Sequence, residues 1–145
     1  MAEAVFSQVN LVVKDMTATL AFYRRLGIEI PEGGAFKTPS GIHHISIGGA
    51  GGEVAMDFDS QALARRYNRG YEAERGRVLL GFSLPSREAV DALFDDLVTH
   101  EHQALQPPYD AFWGARYAIV EDPDGNPVGL MSPSDDAHRA PPPAL

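Results

Sequence analysis

The sequence lacks cysteine and is poor in positive charge: 12 lysine and arginine residues stand against 20 aspartates and glutamates, for a formal net charge of −8. Without cysteine the chain can form no disulfide, no thiolate nucleophile and no cysteine-ligated zinc site. The same absence fits a reducing compartment, so we expect a cytoplasmic protein. Because phosphate backbones are bound by clustered lysine and arginine, the acidic excess argues against a nucleic-acid partner and favours a cationic small molecule.

Long apolar runs are absent as well. No stretch of about 18 apolar residues could span a bilayer, and no signal-like apolar segment follows the first residues, so we expect no membrane partner. The hydrophobic content of 44% over 145 residues is that of an ordinary globular protein with a genuine core.

One pattern occurs twice in the chain. A strand-like segment, a short polar hinge and an amphipathic helix occupy residues 9–26 and again residues 79–97, and several strand-like segments follow each time. A repeat of this size predicts two βα-type halves, at about residues 5–60 and 77–133, with a ligand cleft where the halves curl around a shared space.

Apolar alternation and capping residues predict the elements of both halves. The first half has strands at 5–13, 28–30, 42–47 and 53–58, a loop around Phe36, a helix capped by Asp15 or Thr17 and ended by Gly27, and a short helix capped by Ser60. The second half has strands at 79–84, 103–106, 115–121 and 127–132 and a helix capped by Ser86. Pro107 and Pro108 are predicted to stop the strand at 103–106. Residues 134–145 are predicted to form a disordered tail.

The order βαβββ–βαβββ is accompanied by two motifs, one over residues 12–27 and one over residues 119–130 that contains Asp-Pro-Asp-Gly-Asn at 122–126. With these motifs the chain resembles the vicinal oxygen chelate superfamily, which includes glyoxalase I, extradiol dioxygenases, fosfomycin-resistance transferases and bleomycin-binding proteins. The resemblance implies one α+β domain over residues 1–133, in which paired βαβββ modules form curved mixed sheets. It also implies a homodimer with two equivalent clefts.

The resemblance further implies where a metal would be bound. Catalytic members of the superfamily hold a divalent ion with His, Gln or Glu side chains on the first and last strands of each half, and the matching positions here are Gln8, Asp57, Leu79 and Gly129. A catalytic transition metal needs about three protein ligands, and leucine and glycine supply none. We therefore predict no metal and no cofactor. The alternative is a Zn, Ni, Fe or Mn ion held by Gln8, Asp57 and His44.

Histidine, serine and aspartate residues are the other candidates for catalysis. His43 and His44 are neighbours on a strand, so they point to opposite faces and cannot share one ion without a bulge. The sequence contains no Gly-x-Ser-x-Gly elbow, and no serine in a turn has an obvious histidine partner, which argues against a nucleophilic serine. Asp57 and Asp59 face the same way on one strand, which leaves a general acid or base open.

The ligand-binding candidates come from two places in the chain. Polar residues share one face of the first strand, and aromatic residues at 109–117 either stack on a planar or cationic ligand or fold over the core. Arg116, the only strong hydrogen-bond donor near these aromatics in the sequence, either holds an anionic group of the ligand or pairs with Asp110. The predicted ligand-binding residues are Gln8, Asn10, Asp57, Tyr109, Phe112, Trp113 and Arg116.

Together these features predict a metal-independent small-molecule-binding protein of the glyoxalase/bleomycin-resistance type, a type associated with antibiotic resistance. It would sequester an aromatic or cationic compound. The alternative is a metal-dependent lyase, isomerase or dioxygenase of the same superfamily.

Overall fold

The computed structural model describes residues 8–48, 53–67, 73, 78, 80–111 and 114–141. The chain divides into two compact units, residues 1–75 and 76–145, and each unit contains a four-stranded sheet. In the described part of the chain, no helix has the length and apolar character that a membrane crossing requires.

The first unit follows the order βαβββ and ends with a short helix. Its elements are β1 (Gln8–Val13), α1 (Met16–Arg25), β2 (Phe36–Thr38), β3 (Gly41–Ile47), β4 (Ala55–Ser60) and α2 (Gln61–Tyr67). The strands lie in the order β1-β4-β3-β2, with β1 parallel to β4 and the other pairs antiparallel.

Local capping sets the helix starts in this unit. The Asp15 carboxylate accepts a hydrogen bond from the Ala18 amide at 2.9 Å and caps α1, and the Ser60 hydroxyl accepts from the Leu63 amide at 3.1 Å and caps α2. The apolar side of α1 and one face of the sheet form the core, in which the ring of Tyr23 packs against that of Phe58 at a centroid distance of 4.9 Å. The capping residues Asp15 and Ser60 are thus confirmed.

The second unit repeats the arrangement. Its elements are β5 (Leu80–Ser83), α3 (Arg87–Thr99), β6 (Ala104–Asp110), β7 (Arg116–Glu121), β8 (Pro127–Met131) and a turn of 3-10 helix at Asp136–His138. The strand order is β5-β8-β7-β6, with β5 parallel to β8 and the other pairs antiparallel. Two mixed sheets of the same order confirm the predicted fold class.

The predicted cap of α3 is also confirmed, since the Ser86 hydroxyl accepts a hydrogen bond from the Ala89 amide at 3.1 Å. Buried apolar residues of α3 face buried residues of β7 and β8 on one side of the sheet. They are Val90, Phe94, Leu97, Ala118, Val120, Val128 and Leu130.

Two strand predictions were wrong in the first unit. Residues 28–30 form no strand: the Ile30 carbonyl accepts a hydrogen bond from Arg24 at 3.1 Å, so a side chain satisfies a group that a strand would pair with backbone. Phe36, expected in a loop, begins β2 instead, where its backbone lies opposite His44.

The second unit differs from expectation at the prolines and at the tail. Strand β6 continues through Pro107 and Pro108 because it is an edge strand, and shifts in its register absorb residues that have no N–H to donate. Residues 134–141, expected within a disordered tail, contain the 3-10 turn, capped by the Asp135 side chain. The Asp135 amide donates to the Gly114 carbonyl at 3.0 Å.

Candidate functional site

A polar surface covers the side of the first sheet that points away from its core. Adjacent strands place Asn10 opposite Asp57, Ser46 opposite Asp57, and His44 opposite Asp59. Directly opposed residues of neighbouring strands project to the same side of a sheet, so these five side chains share one face. We call this set of five residues the acidic face.

Asp59 contacts two other residues of the acidic face, His44 and Asn10. Its carboxylate lies 2.6 Å from Nδ1 of His44 through Oδ1 and accepts a hydrogen bond from Nδ2 of Asn10 at 2.9 Å through Oδ2. Only 1% of Asp59 is exposed. Because a buried carboxylate is stabilised by charge-assisted hydrogen bonds, both partners are held in fixed positions.

Asp57 is the second buried carboxylate of this face. It is 5% exposed, and its Oδ1 accepts a hydrogen bond from the Ser46 hydroxyl at 2.5 Å. Asn10 and Ser46 are exposed, and 35% of the His44 side chain is exposed. The two carboxylates therefore lie beneath a rim of polar groups that reaches solvent.

The donor set does not suit a transition metal. The register pairs His44 with Asp59, and the carboxylate of Asp59, rather than that of Asp57, lies beside Nδ1 of His44. No group of three or more His, Asp or Glu side chains within the described residues is arranged to hold an ion. Gln8 begins β1 opposite Ala55, but its side chain lies outside the described part of the structure, as does Leu79.

The same positions in the second unit carry no charge. The pairing of Asn10 with Asp57 corresponds to the pairing of Gly81 with Gly129, because the sheets share one strand order. A Cβ atom built on Gly129 would lie 2.6 Å from the Tyr117 hydroxyl and 3.0 Å from its ring. Tyr117 thus fills the space in which a carboxylate side chain at position 129 would begin.

Tyr117 gives the second unit a distinctive response to alkali. Burial raises the pKa of its hydroxyl above the usual value of 10.0, and the neighbouring Tyr109 adds to the effect. The folded state then holds this proton more tightly than the unfolded chain, so the free energy of unfolding should fall as pH rises above about 10. We expect Tyr117→Phe to reduce this loss, measured by urea unfolding at pH 9 and pH 11. Identical pH dependence in the two proteins would contradict the assignment.

Tyr109 and Arg116, both predicted ligand-binding residues, lie in the second unit but on opposite faces of its sheet. Tyr109 packs against Tyr117 with ring centroids 6.1 Å apart. Arg116 turns toward α3, where Nε and Nη2 donate to the Asp91 carboxylate at 2.8 and 3.3 Å, and Nη1 donates to Asp110 at 3.1 Å. These bonds, with Asp91 as the larger contributor, raise the pKa of Arg116. Of its two predicted roles, the structure shows the pairing with Asp110.

Phe112 and Trp113, the remaining aromatic candidates, lie outside the described residues. Of the predicted ligand-binding residues whose side chains are described, the structure therefore brings Asn10 and Asp57 onto one face. It does not bring Arg116 to the face that carries Tyr109. The assignment of Phe112 and Trp113 as stacking residues stays a prediction.

His43, on the opposite side of β3 from His44, has a network of its own. Its Nε2 lies 2.8 Å from the Thr38 hydroxyl and 2.9 Å from the Ser40 hydroxyl, and its Nδ1 lies 2.8 Å from the Ser60 hydroxyl. The expectation that no turn serine has a histidine partner was therefore wrong for Ser40. Because hydroxyl groups lie within hydrogen-bond distance of both ring nitrogens, this cluster connects β2, β3 and the end of β4.

Sequence reasoning missed the contribution of Ser46 to the acidic face and the pairing of His44 with Asp59. Period-two alternation did place Asp57 and Asp59 on one side of β4. The contacts of His44 and Ser46 depend on the register between β3 and β4, which alternation within one strand does not reveal.

The fold is that of a small α+β protein built from paired βαβββ modules. The first module carries the acidic face on one side of its sheet. The family model described as Glyoxalase/Bleomycin resistance protein/Dioxygenase superfamily matches residues 5–130. The chain therefore belongs to this superfamily. No curated protein matches the sequence.

Several solved structures share the fold. A glyoxalase/bleomycin resistance protein/dioxygenase family enzyme from Burkholderia phytofirmans PsJN superposes with a TM-score of 0.71 at 22% identity, covering 89% of this chain and 98% of that one. A glyoxalase-related enzyme from Fulvimarina pelagi gives 0.70 at 20% identity, covering 91% and 89%. A lactoylglutathione lyase from Agrobacterium tumefaciens gives 0.61 at 18% identity, covering 91% and 96%. At such identities the likeness concerns the fold, which hosts many chemistries.

Proposed function

We propose that the chain is a metal-independent binding protein that holds a small cationic organic molecule over the acidic face. The observation that carries this proposal is the pair of buried carboxylates, Asp57 and Asp59, beneath a rim of exposed polar groups. A cation placed over the rim gains Coulomb energy from both carboxylates, and the burial of these carboxylates weakens the screening of their charge by solvent. The net charge of −8 draws cations toward the protein at longer range.

The chemistry of the donor set supports the metal-independent form of the proposal. Ser46 engages Asp57, Asn10 and His44 engage Asp59, and position 129 has no side chain. A transition ion would have to displace these partners, and Gly129, at a position where the family resemblance implies a ligand, offers no side chain. We also propose, on the family resemblance, that the protein works as a cytoplasmic homodimer and that the aromatic segment at 109–117 contacts the apolar part of the ligand.

Binding of a simple aromatic cation tests the proposal. We expect benzyltrimethylammonium to bind with higher affinity than the neutral benzyl alcohol, and Asp57→Asn to raise its dissociation constant about tenfold because one buried charge is lost. Isothermal titration calorimetry measures both constants. Asp95→Asn, on the exposed side of α3, changes the net charge equally and should leave the affinity within about twofold of the parent.

Two results would contradict the proposal. One is equal affinity for the cation and the neutral alcohol in the parent protein. The other is stoichiometric Zn, Ni, Fe or Mn in protein purified without chelator, with the metal lost in Asp57→Ala. The second result would favour the metal-dependent lyase, isomerase or dioxygenase instead.

A further inference from the structure

We propose that His44, positioned by Asp59, is a general base that accepts a proton from an acidic C–H group of the bound cation. The inference rests on the proposed function, because it requires a cation over the acidic face. It adds an activity, proton abstraction without a metal ion, to a site otherwise described as a binding surface.

The chemistry of the pair assigns the hydrogen of the neutral ring to one nitrogen. Asp59 is 1% exposed and lies 2.6 Å from Nδ1 of His44. An ionised carboxylate only accepts hydrogen bonds, so Nδ1 is the donor and carries the hydrogen in the neutral ring. The Asn10 amide, 2.9 Å from the second carboxylate oxygen, keeps the carboxylate from turning. The lone pair of the neutral imidazole is therefore on Nε2.

The position of Nε2 suits proton transfer. No described residue provides a hydrogen-bond partner for it, and 35% of the His44 side chain is exposed on the acidic face. His43 shows the contrasting case, since hydroxyl groups lie within 2.9 Å of both of its nitrogens. A base within hydrogen-bond reach of a bound ligand and oriented by a carboxylate is the arrangement that general-base catalysis requires.

The step balances without any further reagent. Nε2 of His44 takes the proton, the electron pair of the C–H bond stays on the ligand and delocalises into an adjacent carbonyl group, and the imidazolium is stabilised by Asp59. Returning the proton to the same carbon restores the ligand. A cationic nitrogen next to the C–H group favours the step, because the carbanion forms beside a positive charge that the acidic face holds in place.

Hydrogen exchange in 1-acetonylpyridinium tests the activity, since this aromatic cation has a CH₂ group between the charged ring and a carbonyl. In D₂O the protein should accelerate loss of the CH₂ signal in proton NMR beyond the rate given by free imidazole at the same concentration. We expect His44→Gln to lower the protein-dependent rate by about tenfold or more. His100→Gln, at the exposed end of α3, should leave it unchanged.

The role of Asp59 as a positioning residue has a spectroscopic readout. Nitrogen-15 correlation spectra should show hydrogen on Nδ1 and none on Nε2 of neutral His44, and Asp59→Asn should shift the ring toward the opposite tautomer while slowing exchange. Hydrogen on Nε2 of His44 in the parent protein would overturn the assignment. This measurement does not depend on any ligand.

Calorimetry with 1-acetonylpyridinium separates this inference from the proposed function. Binding with no acceleration over imidazole, or acceleration that survives in His44→Gln, would overturn the general base and leave the binding protein standing. Absence of both binding and acceleration would overturn both. Acceleration lost in His44→Gln with binding retained supports both.

Discussion

Gly129→Glu is expected to lower the free energy of unfolding by about 3 kcal/mol and to create no metal site. The substitution introduces a carboxylate at the position where the family resemblance implies a ligand. Its Cβ would lie 2.6 Å from the Tyr117 hydroxyl, and Gly129 is buried in the central strand β8. The added side chain must displace the tyrosine ring, and its carboxylate is removed from water at a buried position. Urea unfolding measures the loss.

Two further variants test whether contact with Tyr117 causes the loss of stability. Gly81→Ala, on the neighbouring strand, has open space around the new Cβ and should change stability by less than about 0.5 kcal/mol. Combining Gly129→Glu with Tyr117→Ala should be less destabilising than the sum of the two single changes, because the clash is removed. Additive losses, or a Gly129→Glu protein as stable as its parent, would show that Tyr117 does not fill the ligand position.

Those elements of the fold that are set locally could be predicted from the sequence. Asp15, Ser60 and Ser86 each cap a helix through a hydrogen bond to a residue three positions later, so the signal lies within one turn. The continuation of β6 through Pro107 and Pro108 could not be predicted in this way. It depends on the strand being at a sheet edge, which only the assembled sheet determines.

The candidate site also combines features that the local sequence determines with features that the assembled sheet determines. Two carboxylates on one face of β4 follow from strand alternation, whereas the partner of His44 follows from the register between β3 and β4. The connection between these strands, residues 48–54, contains four glycines, which do not specify a register. The bidentate contact of Arg116 with Asp91 likewise depends on how α3 packs against β7, which sequence spacing does not define.

The two units share one strand order but differ in the residues on the side of the sheet away from the core. The first has Asn10 and Asp57 at positions where the second has Gly81 and Gly129. The duplicated strand order is maintained by apolar residues on the core side, so the opposite side is open to change in either copy. At these matched positions the first unit carries the carboxylate of Asp57, whereas the second unit has glycines.

Asp122→Ala is expected to destabilise the protein by about 3 kcal/mol. Asp122 is 4% exposed, and its Oδ1 accepts hydrogen bonds from the amides of Asp124 and Asn126 at 2.9 Å each, while its Oδ2 accepts from the Asn126 side chain at 2.9 Å. Alanine leaves these donors without their acceptor in the turn between β7 and β8, where Gly125 already adopts a φ of 83°. Thermal and urea unfolding measure the change.

Asp122→Asn provides the graded comparison, because it keeps an oxygen for the two amides of Asp124 and Asn126 and places an NH₂ group opposite the Asn126 side chain. Its loss should be about half that of Asp122→Ala. Asp95→Ala, on the exposed side of α3, should cost less than about 0.5 kcal/mol. Equal losses in Asp122→Ala and Asp95→Ala would show that the Asp-Pro-Asp-Gly-Asn turn is held by its backbone alone. If the free energy of unfolding increases from Asp122→Ala to Asp122→Asn to the parent, the buried carboxylate organises the hairpin that carries Gly129 and Tyr117.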